Sequence, residues 1–452
     1  MMKRGFLWVW VLSVILGSQA TAVRAVMVSV DGLRPDAIKL LGPEKAPTFY
    51  RLMREGAFTL NARTQFEFTI TLPNHFSMLT GRPVRGRQGH RYEDNSGFFQ
   101  GREACVGDEV QSVFDQATAA GKRAALMSTK RKFDAVAQCL ADPVEAGEFA
   151  ALAQHRNFPN SEALFDLFSM EWPLEKWDLV MVHMAEPDVE GHLSSWDVRP
   201  DTPYVQSIER VDAQLARLLE IIETEEDFRD DTWVIVTADH GGGDPPFSHF
   251  VTTFEKNYTI PFLVWGPGAE AGADLYEINP GYFDPGNTRP TVDGPLPPIR
   301  NGHMGNLALQ LLGVEPIPGS VYGRNQPVRV ASTSGGFETI FPTLMRDGDE
   351  NGNGFSNFHD FLIGADPRVP VPLTEQPRMI GRFLAVPVRP GVGLFGAAVE
   401  TSEDLRTWRP RFLGANLQHV ETRETEEGLF RLYAAPDAGR GEFFRLRDFL
   451  VR

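Results

Sequence analysis

Cysteine is nearly absent from this chain, since Cys105 and Cys139 are the only two among 452 residues. One pair is too few to hold a fold together in place of a hydrophobic core. Neither cysteine has the neighbours of a catalytic nucleophile or of a zinc knuckle. A disulfide between them is chemically possible in an oxidising compartment, and the sequence leaves open whether the two are joined.

Positive charge is also scarce, because 44 lysines and arginines stand against 60 aspartates and glutamates, for a formal net charge of −16. This balance argues against nucleic-acid binding through a basic face. It does not exclude a phosphorylated substrate, because bound metal ions can reverse the local field. Hydrophobic residues make up 42% of the chain, which is ordinary for a globular protein with a core.

Long apolar runs are confined to one place, Phe6–Gly17, near the start of the chain. Lys3 and Arg4 precede this run, and Ala20–Ala22 resembles a small-residue cleavage site, as in a secretory signal peptide. We therefore expect residues 1–22 to be removed and the mature protein to be secreted, periplasmic or at the cell surface, without a transmembrane span. A membrane anchor is the alternative, although the run is short for a span.

Three other apolar segments end in acidic residues or histidine, namely Ala25–Asp31, Asp178–His192 and Trp233–His240. Each begins as a nearly charge-free run, which is typical of a central parallel strand covered on both faces. Open α/β sheets place their ligand sites at the carboxyl ends of such strands. We therefore predict one site built from several strand ends, with enough carboxylate and imidazole for two divalent metal ions.

The region from Val23 to about Arg329 alternates apolar strands with amphipathic helices. This predicts an α/β fold with a mostly parallel central sheet and helices on both faces. The clearest helix is Pro203–Glu223, in which apolar residues recur at helical spacing, and Ile260–Trp265 is a further predicted strand. We interpret Asn279–Arg300, rich in Pro, Gly and Asp, as an ordered loop over the site, with disorder as the alternative.

The most specific motif is the segment Thr71–His75 (TLPNH), followed by Thr80 and Gly81. Alone it is compatible with a helix N-cap beside a proline turn. Together with the three strands that end in aspartate, it makes the chain resemble the alkaline-phosphatase superfamily from about Val26 to Gly319. The closest branch is the type I phosphodiesterase / nucleotide pyrophosphatase group, in which the nucleophile is a threonine in a Thr-x-Pro-Asn-His context.

The resemblance implies a role for individual residues at two metal ions. The ion that activates the nucleophile would be bound by Asp31, Thr71, Asp239 and His240. The ion that faces the leaving group would be bound by Asp188, His192 and a third histidine. We prefer His303 as that histidine, because an apolar helix-like segment follows it as expected, and His249 is the alternative. Asn95 matches the asparagine that holds a phosphoryl oxygen.

The implied chemistry explains these residue types. A threonine hydroxyl is a weak nucleophile until metal coordination makes its alkoxide accessible. Two ions roughly 4 Å apart can hold the attacking and leaving oxygens of an in-line displacement. Nitrogen and oxygen ligands without thiolate suit Zn²⁺, with Mn²⁺ or Fe as alternatives. We therefore predict an exported two-metal hydrolase that cleaves phosphodiester or pyrophosphate bonds of a small-molecule, lipid or nucleotide substrate through a phospho-threonine intermediate.

Two alternatives to this function stay open. A phosphate monoesterase of the same fold would share every metal ligand and add a positive clamp for the extra charge of its substrate. Lys130 and Lys132 are candidates for that clamp, and a solvated basic turn is the simpler interpretation of them. An inactive surface-binding relative is the other alternative, and the intact Thr71 argues against it. The segment around Thr71 also lacks the Cys or Ser and the arginine of a classical sulfatase.

The composition changes after Arg329. Residues 331–368 are predicted to be a linker with a calcium loop that resembles those of EF-hands and dockerins, with a flexible hinge as the alternative. Its six Ca²⁺ ligands would be Asp349, Asn351, Asn353, Phe355, Asn357 and Asp360. Residues 369–452 contain short strand-like runs and are predicted to form a small β-rich accessory domain. Cell-surface association is a hypothesis for this domain, which would follow a catalytic domain at residues 23–330.

Overall fold

The computed structural model describes residues 23–331, apart from 99–101, 108, 142, 146–147, 150, 280 and 293–296, and the backbone of strands between Arg378 and Asp448. The predicted signal peptide (1–22) and the predicted calcium loop (349–360) lie outside the described residues.

The strands up to residue 331 are β1 (Arg24–Val30), β2 (Ala57–Arg63), β3 (Ala124–Ser128), β4 (Pro143–Glu145), β5 (Glu148–Phe149), β6 (Gln154–Asn157), β7 (Leu179–Met184), β8 (Thr232–Thr237), β9 (Thr259–Trp265) and β10 (Ala273–Asp274). The helices are α1 (Pro35–Lys45), α2 (Pro47–Glu55), α3 (Thr71–Thr80), α4 (Arg102–Cys105), α5 (Val113–Ala119), α6 (Phe133–Leu140), α7 (Ser161–Glu175), α8 (Glu186–Ser194), α9 (Pro203–Thr224), α10 (Glu255–Tyr258) and α11 (Met304–Leu311). A short 3₁₀ helix, Asn301–His303, leads into α11.

Eight of these strands form one twisted sheet in the order β10-β2-β9-β8-β1-β7-β3-β6. Strand β1 pairs in parallel with both β7 and β8, and β9 is antiparallel to β8 and β2. The predicted mostly parallel sheet is therefore confirmed. The three strands that were predicted to end in metal ligands are direct neighbours at its centre, so their carboxyl ends lie side by side.

Helices cover the sheet in two groups, as predicted. Helices α1, α2, α7 and α8 all contact α9, while α3 and α5 contact α11, which packs against β1 and β8. Strand β1 is buried along its whole length, which explains its charge-free interior. Helix α9 confirms the predicted helix over Pro203–Glu223, and its apolar stripe faces the core.

The two cysteines form a disulfide, which answers the question that the sequence left open. Cys105 ends α4 and Cys139 lies in α6, and their Cα atoms are 5.8 Å apart. The bond therefore fastens the short α4 to a helix that packs against α3, the helix that begins at Thr71.

The described strands of the tail are β11 (Arg378–Ile380), β12 (Phe383–Pro387), β13 (Ala397–Ser402), β14 (Arg409–Phe412), β15 (Gln418–Thr425), β16 (Gly428–Ala434) and β17 (Phe443–Asp448). Their backbones pair antiparallel in two sheets, β11-β12-β16-β15 and β14-β13-β17. In the part of the chain that the structure describes, no helix combines the length and the apolarity needed to cross a membrane.

Candidate active site

Three buried carboxylates meet at the carboxyl ends of the central strands. Asp31 directly follows β1, Asp239 follows β8 after one residue, and Asp188 lies in the first turn of α8, just after β7. All three are buried, and the Gly32 amide donates a hydrogen bond of 3.2 Å to Asp239 Oδ1. The sheet order alone brings them together, because β8, β1 and β7 are adjacent.

Histidines complete two groups of metal-type ligands, in each of which the ligand atoms lie within 4.8 Å of one another. One group is Asp31, Asp239 and His240, and the other is Asp188, His240 and His249. His240 Nε2 lies 3.4 Å from Asp31 Oδ1 and 3.3 Å from Asp239 Oδ2. His192 Nε2 lies 3.5 Å from Asp188 Oδ1, one helical turn apart on α8 as the sequence spacing predicts.

The histidine rings are oriented by backbone carbonyls. His192 Nδ1 faces the Phe247 carbonyl, His240 Nδ1 the Gly241 carbonyl and His249 Nδ1 the Thr69 carbonyl. Because a carbonyl only accepts, each Nδ1 carries the hydrogen, and each Nε2 presents a lone pair.

Those lone pairs point at carboxylate oxygens, so acceptors face acceptors. Asp31 Oδ1, Asp188 Oδ1, Asp239 Oδ2 and His240 Nε2 are buried and have no hydrogen-bond partner. Buried polar atoms without partners are costly, and cations would satisfy all four at once. The residues therefore fit divalent metal ions, in the nitrogen and oxygen environment that suits zinc.

The geometry favours His249 over His303 as the third histidine of the second group. His303 Nδ1 lies 3.0 Å from the Arg300 backbone, and its ring packs between Tyr282 and Tyr322. His249 Nε2 lies 3.6 Å from Asp188 Oδ1 and 3.2 Å from His192 Nε2. The preference for His303 depends on the helix that follows it, which α11 supplies, but His303 belongs to neither of the two groups of metal-type ligands.

Thr71 is the first residue of α3 and is buried, so its hydroxyl lies at a helix N-terminus, which favours anions. Asn95 lies at the same place, because its Oδ1 accepts a 2.9 Å hydrogen bond from the Leu72 amide. Lys132 Nζ is 3.4 Å from the same oxygen. The structure thus brings the predicted nucleophile, the predicted phosphoryl-binding asparagine and one predicted clamp lysine together.

The other residues of the Thr71–His75 motif hold this helix end in place. Asn74 accepts from the Gln65 amide and donates to the carbonyls of Phe68 and Ile70, which fixes the loop before α3. His75 lies 2.8 Å from Ser29 Oγ on β1 and 2.7 Å from the Thr71 carbonyl. His75 therefore ties α3 to the central strand and is not placed as a ligand.

Lys130 lies in the site and is not a solvated turn residue. Its ammonium is 2.6 Å from both Asp31 Oδ2 and Asp188 Oδ2, so it bridges the two ligand groups. Burial lowers the pKa of Lys130, but the two carboxylates outweigh burial and raise it above its ordinary value. Burial likewise opposes ionisation of Asp31, yet Lys130, His183 and His240 hold its pKa well below the usual range.

Two positioning residues were not predicted from the sequence. His183 Nε2 is 3.1 Å from Asp31 Oδ2, and its Nδ1 is 3.2 Å from Ser128 Oγ. As the one ionisable residue inside the apolar run of β7, His183 was the available signal. Trp196 donates from Nε1 to the Gly32 carbonyl, and its ring centroid lies 4.8 Å from that of His192. Nothing in the sequence around Trp196 pointed to this role.

The segment predicted as an ordered loop, Asn279–Arg300, is fastened beside the nucleophile helix where it is described. The Arg63 guanidinium donates to the Thr288 carbonyl, Arg289 to the Gln65 carbonyl and Arg300 to the Thr64 carbonyl. These bonds hold the segment against the end of β2 and the chain that leads to Thr71.

Comparison with known proteins places the matching region over the α/β part of the chain. The family model described as type I phosphodiesterase / nucleotide pyrophosphatase matches residues 25–280. No curated protein matches the chain.

Three solved structures are similar to parts of the chain. One is murine ectonucleotide pyrophosphatase / phosphodiesterase 5, with a TM-score of 0.45, 14% identity and coverage of 65% of this chain and 96% of that chain. An inactive form of the same murine protein in complex with AMP has a TM-score of 0.45 and 13% identity, and the match covers 66% of this chain and 96% of that chain. A 2-O GAG sulfatase has a TM-score of 0.43 and 11% identity, and the match covers 65% of this chain and 71% of that chain.

Proposed function

The chain belongs to the type I phosphodiesterase / nucleotide pyrophosphatase family and is thus a phosphoester hydrolase, and we propose that it cleaves phosphodiester or pyrophosphate bonds through Thr71. The observation that carries this proposal is the set of partnerless acceptors on Asp31, Asp188, Asp239 and His240, which face one another. They lie beside α3, because His75 Nδ1 in that helix is 3.8 Å from Asp239 Oδ2. Such a set suits two divalent cations and little else.

The first ion would be held by Asp31, Thr71, Asp239 and His240. The second ion would be held by Asp188, His192 and His249. When bound, these ions supply Lewis acidity that lowers the pKa of a hydroxyl nucleophile and neutralises charge on the leaving oxygen. Zinc suits the mixed imidazole and carboxylate donors, with manganese or iron as alternatives.

Thr71, Asn95 and the N-terminus of α3 would have different roles in the reaction. Thr71 Oγ forms a bond to phosphorus as the bond to the leaving oxygen breaks, which gives a phospho-threonine that water hydrolyses in a second displacement. Asn95 is oriented by the Leu72 amide, which occupies its Oδ1, so its Nδ2 is the end available to donate to a phosphoryl oxygen. The N-terminus of α3 favours the same negative charge.

A specific observation favours the monoesterase as the second candidate. Lys132 approaches Asn95 Oδ1 at 3.4 Å, and Lys130 lies between the two ligand groups. A monoester carries one more negative charge than a diester, so cations beside the non-bridging oxygens of its phosphoryl group select for it. The nucleophile and the metal ligands would be the same in both cases.

The experiment that tests this function compares a nitrophenyl phosphodiester with the nitrophenyl monoester for zinc-loaded protein and for Thr71→Ala. We expect faster hydrolysis of the diester and a loss of at least about 1,000-fold in the variant. Faster hydrolysis of the monoester would support the second candidate. Equal activity in Thr71→Ala would contradict the assignment of the nucleophile.

We also propose that the protein works outside the cytoplasm. The signal-like residues 1–22 and the Cys105–Cys139 disulfide support this, because such bonds persist in oxidising compartments. The N-terminal sequence of the purified protein tests it, and a start at Val23 is the expected result.

A further inference from the structure

Exposed apolar side chains occur on the two segments that carry the candidate ligands His192 and His249. On α8, Leu193 is 73% exposed and Val189, one turn earlier, is 47% exposed. In the segment that follows β8, Phe247 is 55% and Phe250 58% exposed. We call these four residues the apolar rim. Single exposed apolar residues are common on soluble proteins, whereas several beside one site favour a contact with an apolar group.

The two halves of the apolar rim meet at the ligand histidines. Leu193 directly follows His192, whose Nδ1 lies 3.0 Å from the Phe247 carbonyl. The Phe250 ring centroid lies 4.7 Å from that of His249. Since His192 Nε2 and His249 Nε2 are only 3.2 Å apart, the rim borders the ligand group formed with Asp188.

The backbone at Phe247 indicates that this arrangement is maintained at a cost. Its φ is +64°, in the left-handed region that a bulky side chain rarely adopts. Such a conformation is strained, and residues that adopt it cluster at functional sites. Glycine or asparagine would adopt it more easily, yet the chain keeps a half-exposed phenylalanine ring there.

The side of the site beside the nucleophile helix is polar. Lys132 and Asn95 supply charge and an amide group beside the N-terminus of α3, where the phosphoryl group would lie. The site is therefore polar beside the nucleophile and apolar beside the His192–His249 end, where the proposed mechanism places the leaving group.

We propose that the apolar rim binds the leaving group and that the substrate is a phosphoester of a large apolar alcohol or phenol. This rests on the proposed function, because it assigns the leaving group to the His192–His249 side. The apolar part could be an aliphatic chain or an aromatic ring system, and both would gain from covering the same exposed surface.

The main pair of phosphoesters in the test differs in the apolar size of the leaving group and not in its acidity. A 4-methylphenyl and a 4-pentylphenyl ester have phenols of nearly equal acidity, and a 2-naphthyl ester provides the aromatic arm. Full burial of one methylene is worth about fourfold in binding, so half-burial of four methylenes predicts a rise in kcat/KM on the order of tenfold. Release of each phenol from the zinc-loaded protein is measured by chromatography.

The rim variants are Leu193→Ser alone and Leu193→Ser with Phe250→Ser, and the quantity compared is the ratio of kcat/KM between the pentyl and methyl esters. We expect this ratio to fall towards one in the double variant and part of the way in the single variant. Leu174→Ser is the matched control, because Leu174 is 82% exposed on α7, and it should keep the wild-type ratio.

Each result supports or contradicts an apolar leaving group at the rim. A higher rate for the pentyl ester that the rim variants abolish supports an aliphatic leaving group. A higher rate for the naphthyl ester alone supports an aromatic one only where the rim variants abolish it, because the greater acidity of naphthol raises the rate in every variant alike. Equal rates for all three esters in the wild type, or an unchanged ratio in the double variant, would overturn the proposal while leaving the hydrolase intact. No release from any ester would contradict the proposed function and this proposal with it.

Discussion

The tautomers of three histidines decide what the candidate site can bind. Backbone carbonyls take the Nδ1 hydrogens of His192, His240 and His249, so the Nε2 atoms are left as acceptors beside Asp31 and Asp188. Such an arrangement is unfavourable without cations and favourable with them. A single ring can thus be assigned to a ligand role by the partner of its other nitrogen.

His249→Ala should therefore lower the metal content from about two ions per chain to about one, and lower kcat/KM by at least about 100-fold. His303→Gln should keep both ions, because His303 contacts the Arg300 backbone and two tyrosine rings. Elemental analysis of the dialysed proteins measures the content. Loss of metal from His303→Gln with full retention in His249→Ala would restore the sequence-based preference for His303.

Lys132 provides a second test at the scale of a residue. Because it lies near Asn95 Oδ1, Lys132→Ala should lower monoester hydrolysis about 10- to 100-fold and diester hydrolysis only a few-fold. Steady-state kinetics on a matched pair of esters gives the two ratios. An equal loss on both esters would mean that the lysine maintains the site and does not select the substrate.

The structure brings together the predicted residues that directly follow strands more fully than those on loops. Asp31, Asp188 and Asp239 meet because adjacent parallel strands end at the same edge, which strand patterns reveal. His249 reaches the site only because residues 241–258 fold back through backbone bonds such as Gly241 to Asn257. Side-chain periodicity carries no information on such bonds, so the preferred histidine was the one that precedes a recognisable helix.

At the scale of elements, α8 and the chain after β8 are held together around one indole. The Trp196 ring lies against both Gly191 and Gly242, where an added Cβ would come within 2.2 and 2.3 Å of its atoms. Its Nε1 donates to the Gly32 carbonyl, next to Asp31. Three ligand-bearing segments therefore share one rigid contact, and glycine is required where the indole passes.

Gly191→Ala should consequently displace the Trp196 ring. We expect a loss of about 1–3 kcal/mol in the free energy of unfolding from overpacking and about a 10- to 100-fold weaker affinity for zinc. Denaturant unfolding and a zinc titration measure these effects. Glu190→Ala, on the same helix with an exposed partner in Arg210, is the control and should change neither by much. Unchanged zinc affinity in Gly191→Ala would contradict this role for the indole.

The pattern of elements was predictable where each element has a clear period. Helix α9 and the buried strands β1, β7 and β8 were predicted, because burial of one stripe or of both faces leaves a strong hydrophobic signature. The antiparallel direction of β9 was not predicted, because a buried antiparallel strand has the same apolar composition as a parallel one.

At the scale of the whole molecule, we predict that the buried carboxylates make the free energy of unfolding depend on bound metal ions. Burial raises the pKa of Asp239 well above its usual value, and the neighbouring charge of Asp31 adds to the effect. Cations that bind only the folded chain stabilise it by about 2.7 kcal/mol at a concentration 100 times Kd. Chelation with EDTA should therefore lower Tm by about 5 °C or more, and zinc should restore it.

A thermal melt with and without EDTA measures this shift. Asp239→Ala removes a proposed ligand, so its Tm should respond much less to zinc than that of the wild type. A wild-type Tm that is the same in EDTA and in zinc would contradict the linkage between metal binding and folding.

A buried histidine outside the candidate metal site predicts how the molecule responds to acid. His90 is fully buried, lies 2.9 Å from Ser77 Oγ and accepts from the Tyr92 amide, and burial lowers its pKa to about 3. In the unfolded chain the pKa is about 6.5, so between pH 6.5 and 3 the unfolded state binds a proton that the folded state does not. This group should then lower the free energy of unfolding by about 1.4 kcal/mol for each unit by which the pH decreases.

His90→Gln should reduce this dependence of the free energy of unfolding on pH by that amount, as measured by urea unfolding at pH 6 and pH 5. Ser77→Ala, which keeps the histidine, should leave the dependence unchanged. An identical slope in His90→Gln and the wild type would show that His90 takes no part in acid unfolding.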